Sequence, residues 1–185
     1  GPSLRGAGRA SVDFMVRTGR MPLASPKAND RRKASPYTPA QQRALIDYVT
    51  DLAGGGPAIP AVDPSAGRAA TGGELYRLQC AACHSWGGEG GALVDRQAPS
   101  MLPATPVQVA EAVRTGPGTM PAFGRAALSP RQLDDLVAYT GRLKHPDNRG
   151  GLALGHIGPV AEGAVAIVLG MGALLLAIGW IGERG

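Results

Sequence analysis

The residues best equipped for chemistry are Cys80-Ala81-Ala82-Cys83-His84. Two thiols separated by two residues and followed at once by an imidazole have the spacing of a c-type haem attachment site. Each thiol can add across one vinyl group of a porphyrin, and the adjacent histidine then meets the iron as proximal ligand. Two other readings compete. A structural zinc site needs four N or S ligands, and the chain has no other cysteine and only His145 and His156 besides. A thioredoxin-type dithiol belongs in a βαβ pattern, and none is visible. The expected cofactor is one haem c, held covalently by Cys80 and Cys83 with His84 on the iron.

Fast electron transfer calls for a second axial ligand, and a methionine thioether opposite histidine raises the potential. Met120 in Gly118-Thr119-Met120-Pro121 is the first candidate, because a Gly/Pro loop can aim a thioether inward. Met101 is its rival. Pro99 is a candidate second-shell residue: its carbonyl could accept the other ring N–H of His84 and fix the tautomer.

The elements that must position these residues occur in two copies. Val16-Arg17-Thr18-Gly19-Arg20-Met21-Pro22 resembles Val113-Arg114-Thr115-Gly116-Pro117-Gly118-Thr119-Met120-Pro121. Thr38-Pro39 opens a helical pattern to about Leu52, and Ser129-Pro130 opens another to about Lys144. Both have a hydroxyl N-cap and proline at the first helical position. Leu45, Tyr48 and Leu52 match Leu136, Tyr139 and Leu143 at a constant offset of 91, the offset from 38 to 129. Gly1-Pro2-Ser3-Leu4 resembles Ala98-Pro99-Ser100-Met101. Met21 is therefore a second expected axial ligand, with Met15 as its rival, and Pro2 a second carbonyl donor to a histidine. The cysteines belonging to this first copy are expected upstream of Pro2, so an upstream segment carrying another haem motif is inferred.

The domain boundaries follow: 1–56 as the C-terminal part of a first haem domain, 57–71 as linker, 72–146 as a complete haem domain, 147–159 as linker and 160–182 as a membrane helix. A short helix leading into Cys80 should pack on the helix after Ser129. The loop 22–37 contains Lys27, Arg31, Arg32 and Lys33, either as a solvated loop or as a docking patch for an acidic partner. Residues 1–60 carry nine Lys/Arg against four Asp/Glu, so the basic excess behind the net charge of +5 lies there. Basic residues are not interleaved with aromatics, which argues against nucleic acid. Aromatic residues make up only 4% of the chain; a porphyrin would itself supply apolar core.

Gly163 to Ile181 is 19 residues without a charge, about 28 Å as a helix and close to a bilayer core of about 30 Å. Ala166, Gly170, Ala173 and Ala177 would form a small-residue face suited to packing on another membrane helix. Arg142, Lys144 and Arg149 precede the span and only Arg184 follows it. A positive-inside count would place the haem domains in the cytoplasm. Folded domains translocate largely regardless of charge, and covalent haem attachment is extracytoplasmic, so the opposite orientation is expected.

Taken together, these motifs resemble the dihaem cytochrome c subunit of the actinobacterial cytochrome bcc complex, a menaquinol–cytochrome c reductase. The likeness rests on the Gly-Pro-Ser-Leu and Arg-Thr-Gly-Arg-Met-Pro elements, the Cys80–His84 motif, Thr115 to Pro121, and Gly155-His156-Ile157-Gly158-Pro159-Val160-Ala161-Glu162-Gly163 before the single span. It implies a mainly α fold: tandem class I cytochrome c domains, the first incomplete, plus one C-terminal transmembrane helix. It also implies an electron-transfer subunit of an oxidoreductase, with no bond chemistry of its own. Electrons would come from a Rieske iron–sulfur subunit, beside a cytochrome b subunit, and pass to a terminal oxidase. The implied location is the plasma membrane, with haem domains outside and the C-terminus cytoplasmic. A c-type subunit of a haem–copper oxidase and a membrane-anchored haem sensor are the alternatives.

Overall fold

The computed structural model describes residues 3–25, 31–93, 96–146 and 159–183. Its elements are α1 (Gly8–Arg17), α2 (Pro39–Ala53), α3 (Ala69–Gln79), the single turn α4 (Ala81–His84), β1 (Gly91–Leu93), β2 (Arg96–Ala98), α5 (Pro106–Thr115) and α6 (Pro130–Lys144). They are followed by α7 (Pro159–Val165), a π-helical segment Ala166–Met171 and α8 (Gly172–Gly182). The fold is mainly helical, as expected. The strands form one small antiparallel hairpin with Gly91 opposite Ala98.

Local sequence explains where helices start. Thr38, Thr105 and Ser129 each accept from the backbone N–H three residues on, and Gln41, Gln108 and Gln132 reach back to the cap. Proline stands at the first helical position in all three, where its missing N–H costs nothing. Helices α2 and α5 stop at Gly54 and Gly116, both left-handed.

Up to His145 the described residues form one compact unit. Helices α3 and α6 pack very closely. A Cβ on Gly72 would fall inside the carbonyl oxygen of Asp135 and 2.9 Å from Cβ of Tyr139. Tyr76 is fully buried, its ring centroid 5.3 Å from that of Tyr139 at a tilt of 48°. The core around them includes Cys80, Val109, Val113, Leu128, Leu133, Leu136 and Val137. A smaller cluster joins Val12 and Val16 of α1 to Ile46 of α2. The copies α2 and α6 differ in cover. Tyr139 and Leu143 pack on the core, whereas Tyr48 and Leu52 are 67% and 63% exposed. Helix α3 covers this face in the second half, and among the described residues the first half has no counterpart of it.

The stretch read as a linker is more ordered than its Gly/Pro composition predicts. Ala10 N–H donates to Pro57 O at 3.0 Å and Asp63 N–H to Asp134 Oδ1 at 2.9 Å. Arg68 N–H donates to Asp135 Oδ1 at 2.6 Å, and α3 begins at the next residue, three before Gly72. A carboxylate from α6 thus supplies the cap that α3's own sequence lacks.

Helices α1 and α5, counterparts in the repeat, pack on each other and bury Asp13 and Glu111 between them. Burial, then the Asp13 charge beside it, pushes the Glu111 carboxyl up to about 8. A folded-state pKa raised above the unfolded 4.5 means that this group's stabilisation is complete below 4.5 and lost as pH rises toward 8. We expect Glu111→Gln to flatten the melting temperature against pH across that window. Parallel profiles for parent and variant would contradict it.

The basic loop is partly spent inside the protein. Arg31 donates to Gln97 Oε1 at 2.8 Å, Arg32 to Gln108 Oε1 at 3.0 Å and Lys33 to Pro22 O at 2.9 Å. Lys27 lies outside the described residues. Through Arg31 and Arg32 the loop bridges the two halves.

The C-terminal unit contains one apolar helix, Glu162–Gly182, of 21 residues, long and apolar enough to cross a membrane. Its π-helical segment corrects the expected small-residue stripe. Ala166 and Gly170 lie in the wider i→i+5 turn and Ala173 and Ala177 in regular α-helix, so the four positions do not share one straight face. The linker 147–159 lies almost wholly outside the described residues.

Candidate haem site

Helix α3 delivers Cys80 at its C-terminus, and the next turn carries Cys83 and His84. Both Cys83 N–H (3.1 Å) and His84 N–H (2.8 Å) donate to Cys80 O. One helical turn separates the thiols and keeps them on neighbouring sides. Cys80 is buried and Cys83 half-buried, and both are free thiols. Burial, then Cys83, pushes the Cys80 thiol up to about 11. A neutral, buried thiol is not the depressed-pKa nucleophile of a redox dithiol. Among the described residues no group of three or more His, Cys, Asp or Glu converges as a metal cage, and His156 lies outside them.

After His84 the chain reverses through Ser85, whose φ is 62°, with Tyr76 Oη donating to Ser85 O at 2.7 Å. The β1–β2 hairpin then returns the chain to the imidazole. Gly90, at φ +90°, packs so closely on the backbone of Ala98, Pro99 and Ser100 that a Cβ has no room. The result is a 2.9 Å hydrogen bond between His84 Nδ1 and Pro99 O. A carbonyl can only accept, so Nδ1 carries the proton and Nε2 keeps its lone pair for a metal. Burial lowers the His84 pKa and the Pro99 bond opposes it.

The wall beyond Cys80 is mostly apolar. Leu75, Val113, Phe123, Leu128 and Leu136 line a small cavity there together with Gln79. Met120 and Met101 both pack against the core that contains Cys80. Met101 is tied to the histidine side by its N–H donating to Gly88 O at 2.8 Å. Met120 rides the long loop between α5 and α6. In the first half Met21 is 36% exposed, its N–H donating to Met15 O at 3.1 Å, and Pro2 lies outside the described residues.

These residues fit a haem c: two adjacent thiols, an imidazole with its outer nitrogen already bonded, an apolar wall and a thioether within one core. The structure also exposes residues that periodicity passed over. Asp135 caps α3, and Arg114, embedded in the repeated Val-Arg-Thr-Gly motif, bonds two loop carbonyls. Nothing local in the sequence names a partner for either.

Residues 67–139 match the family described as "Cytochrome C oxidase, cbb3-type, subunit III". With the helical fold, this defines the class: a c-type cytochrome, whose cofactor is covalently bound haem. Over its whole length the chain is 37% identical to the cytochrome bc1 complex cytochrome c subunit of Corynebacterium diphtheriae, spanning 72% of that protein. It is 40% identical to the proteins of the same name from Mycobacterium bovis and Mycobacterium tuberculosis, spanning 69% of each. The chain belongs to the family of cytochrome bc1 complex cytochrome c subunits, respiratory c-type cytochromes within an oxidoreductase complex.

Proposed function

We propose that this chain is the membrane-anchored electron relay of a menaquinol–cytochrome c reductase. It takes electrons from the Rieske iron–sulfur protein, beside the cytochrome b subunit, and passes them to the terminal oxidase. The observation that carries this reading is full-length similarity to subunits of a bc1 complex, joined to the His84–Pro99 geometry next to Cys80 and Cys83.

In this reading Cys80 and Cys83 would hold the haem covalently, and His84 and Met120 would ligate its iron. Haem iron, when bound, supplies reversible one-electron chemistry. The chain's own work is positional. Pro99 O holds the proton on Nδ1 so that Nε2 faces the metal. The apolar side chains around Cys80 exclude water, and the Met120 thioether, a soft neutral donor, favours the reduced state.

Residues 1–56 form the rest of a first haem domain, 72–146 the second, and Met21 and Pro2 serve the first haem. The exposed Tyr48–Leu52 face supports this, because its counterpart on α6 is covered by the helix that leads into the haem motif. Residues 160–182 cross the plasma membrane, with the haem domains extracytoplasmic and the C-terminus cytoplasmic. The described side chains along that helix are exposed, as a lipid-facing or partner-facing helix requires.

The match of residues 67–139 to an oxidase subunit family supports a second reading, a c-type subunit of a haem–copper oxidase. It covers the haem domain alone, whereas the bc1 relatives span the whole chain. A reduced-minus-oxidised spectrum of the native subunit, purified from mild-detergent membranes with its partners, separates the two. Quinol-reducible c haem with b-type bands is expected, with or without a-type bands. An a-type signal without b-type haem would overturn the reductase reading.

A further inference from the structure

Arg114 lies in the last turn of α5, and its Nη1 donates to two carbonyls, Phe123 O at 2.9 Å and Leu128 O at 2.6 Å. Both belong to the loop that carries Met120. Phe123 lies three residues beyond the thioether, and Leu128 directly precedes Ser129, the cap of α6. The loop's other ties, up to Leu128, include the backbone bonds Gly116 N–H to Ala112 O (2.9 Å), Met120 N–H to Pro117 O (3.2 Å), Phe123 N–H to Val113 O (2.8 Å), Ala127 N–H to Gly124 O (3.1 Å) and Leu128 N–H to Gly124 O (3.0 Å). Of these only the Phe123 bond joins the loop beyond Met120 to α5. The guanidinium reaches that middle portion and the far end together, from one nitrogen with two N–H groups. A charged donor makes the stronger kind of hydrogen bond, and arginine stays charged even where burial and the nearby Arg125 lower its pKa.

The repeat supplies a contrast. Arg17 stands at the equivalent position of α1, yet its Nε pairs with Asp13 at 2.8 Å and its Nη1 reaches Gln42 at 3.4 Å. Arginine at this position does not by itself produce a loop clamp; in the second half it does.

We propose that Arg114 is a positioning residue for Met120. By fastening the middle and the far end of the 116–129 loop to α5, it holds the thioether on the iron and sets how readily the methionine leaves. This rests on reading Met120 as the axial ligand, and the test separates the two claims. The haem-loaded protein in mild detergent is examined by the far-red charge-transfer band of thioether-ligated ferric haem and by carbon monoxide uptake on the reduced protein. The part of the band that Met120→Ala removes belongs to this site; if it removes none, the ligand reading falls. Arg114→Met keeps the apolar stem and deletes both donors. It should weaken that same part of the band and raise carbon monoxide uptake about tenfold or more, with covalent haem and helix content retained. Arg114→Lys, a point charge without the fork, should lie between. If Arg114→Met does not accumulate with haem, the lysine variant decides alone. A full-strength band and unchanged carbon monoxide uptake in either variant would overturn the clamp.

Discussion

Gly72→Ala should strongly destabilise the protein and lower its melting temperature. The added methyl group meets the Asp135 carbonyl oxygen, a rigid backbone atom, and Cβ of Tyr139 at 2.9 Å. Relief requires α3 to move off α6. That movement would unpack Tyr76 from Tyr139 and break the 2.6 Å bond from Arg68 N–H to Asp135, which caps α3. Overpacking of this kind costs about 3 kcal/mol or more, a large share of a stability of about 5–15 kcal/mol. Thermal unfolding of the haem-loaded protein and the yield of covalent haem are the measurements. Gly73→Ala is the control, since its Cβ would meet side-chain atoms rather than backbone: the ring edge of Tyr139 at 3.0 Å and Arg77 Nη1 at 3.4 Å. Equal melting temperatures for Gly72→Ala and parent would show that the close approach of the helices carries no such weight.

If Met120 supplies the thioether ligand, as proposed, Met120→Ala should leave covalent haem intact and remove that ligand. Axial ligands set haem potentials over a range of about 0.8 V, and losing methionine from a Met/His pair should lower the potential by something on the order of 100 mV. On the proposed relay, onward electron transfer would then stop at this haem. Met101→Ala is the comparison, because both methionines pack on the core around Cys80. A potential that stays put in Met120→Ala and falls in Met101→Ala would reverse the assignment. The two methionines differ in their backbone ties: Met101 N–H donates to Gly88 O, near His84, and Met120 N–H to Pro117 O in the loop between α5 and α6.

Much of the fold was legible because it is written locally. The caps Thr38 and Ser129 with their prolines mark α2 and α6 to within a residue. The helix before Cys80 packs on α6 and buries Tyr76 and part of Leu75, as expected, but Leu78 on the same helix is 77% exposed. The haem motif announces itself by spacing alone. What escaped local reading involves partners distant in sequence. Composition marked 57–71 as a loose linker, yet its N–H groups at 63 and 68 bond to aspartates of α6. Arg31 and Arg32 looked like a surface charge run, yet they reach Gln97 and Gln108. The i, i+4 spacing of small residues after Ala166 assumed a uniform α-helix, which the π-helical turn breaks.

The sequence by itself determined the periodic and the covalent features: helix starts, the tandem repeat, the haem motif, the apolar C-terminal helix and the family. Each depends on residue type at short spacing, where one turn of helix or one tight loop fixes the geometry. Tertiary structure alone decided which polar groups meet. It brought Pro99 O to His84, Asp135 to the start of α3, Asp13 to Glu111 and Arg114 to the loop beyond Met120. A hydrogen bond or a buried charge needs its partner within a few ångströms, and for most of these groups that partner comes from another element, placed only when the helices pack.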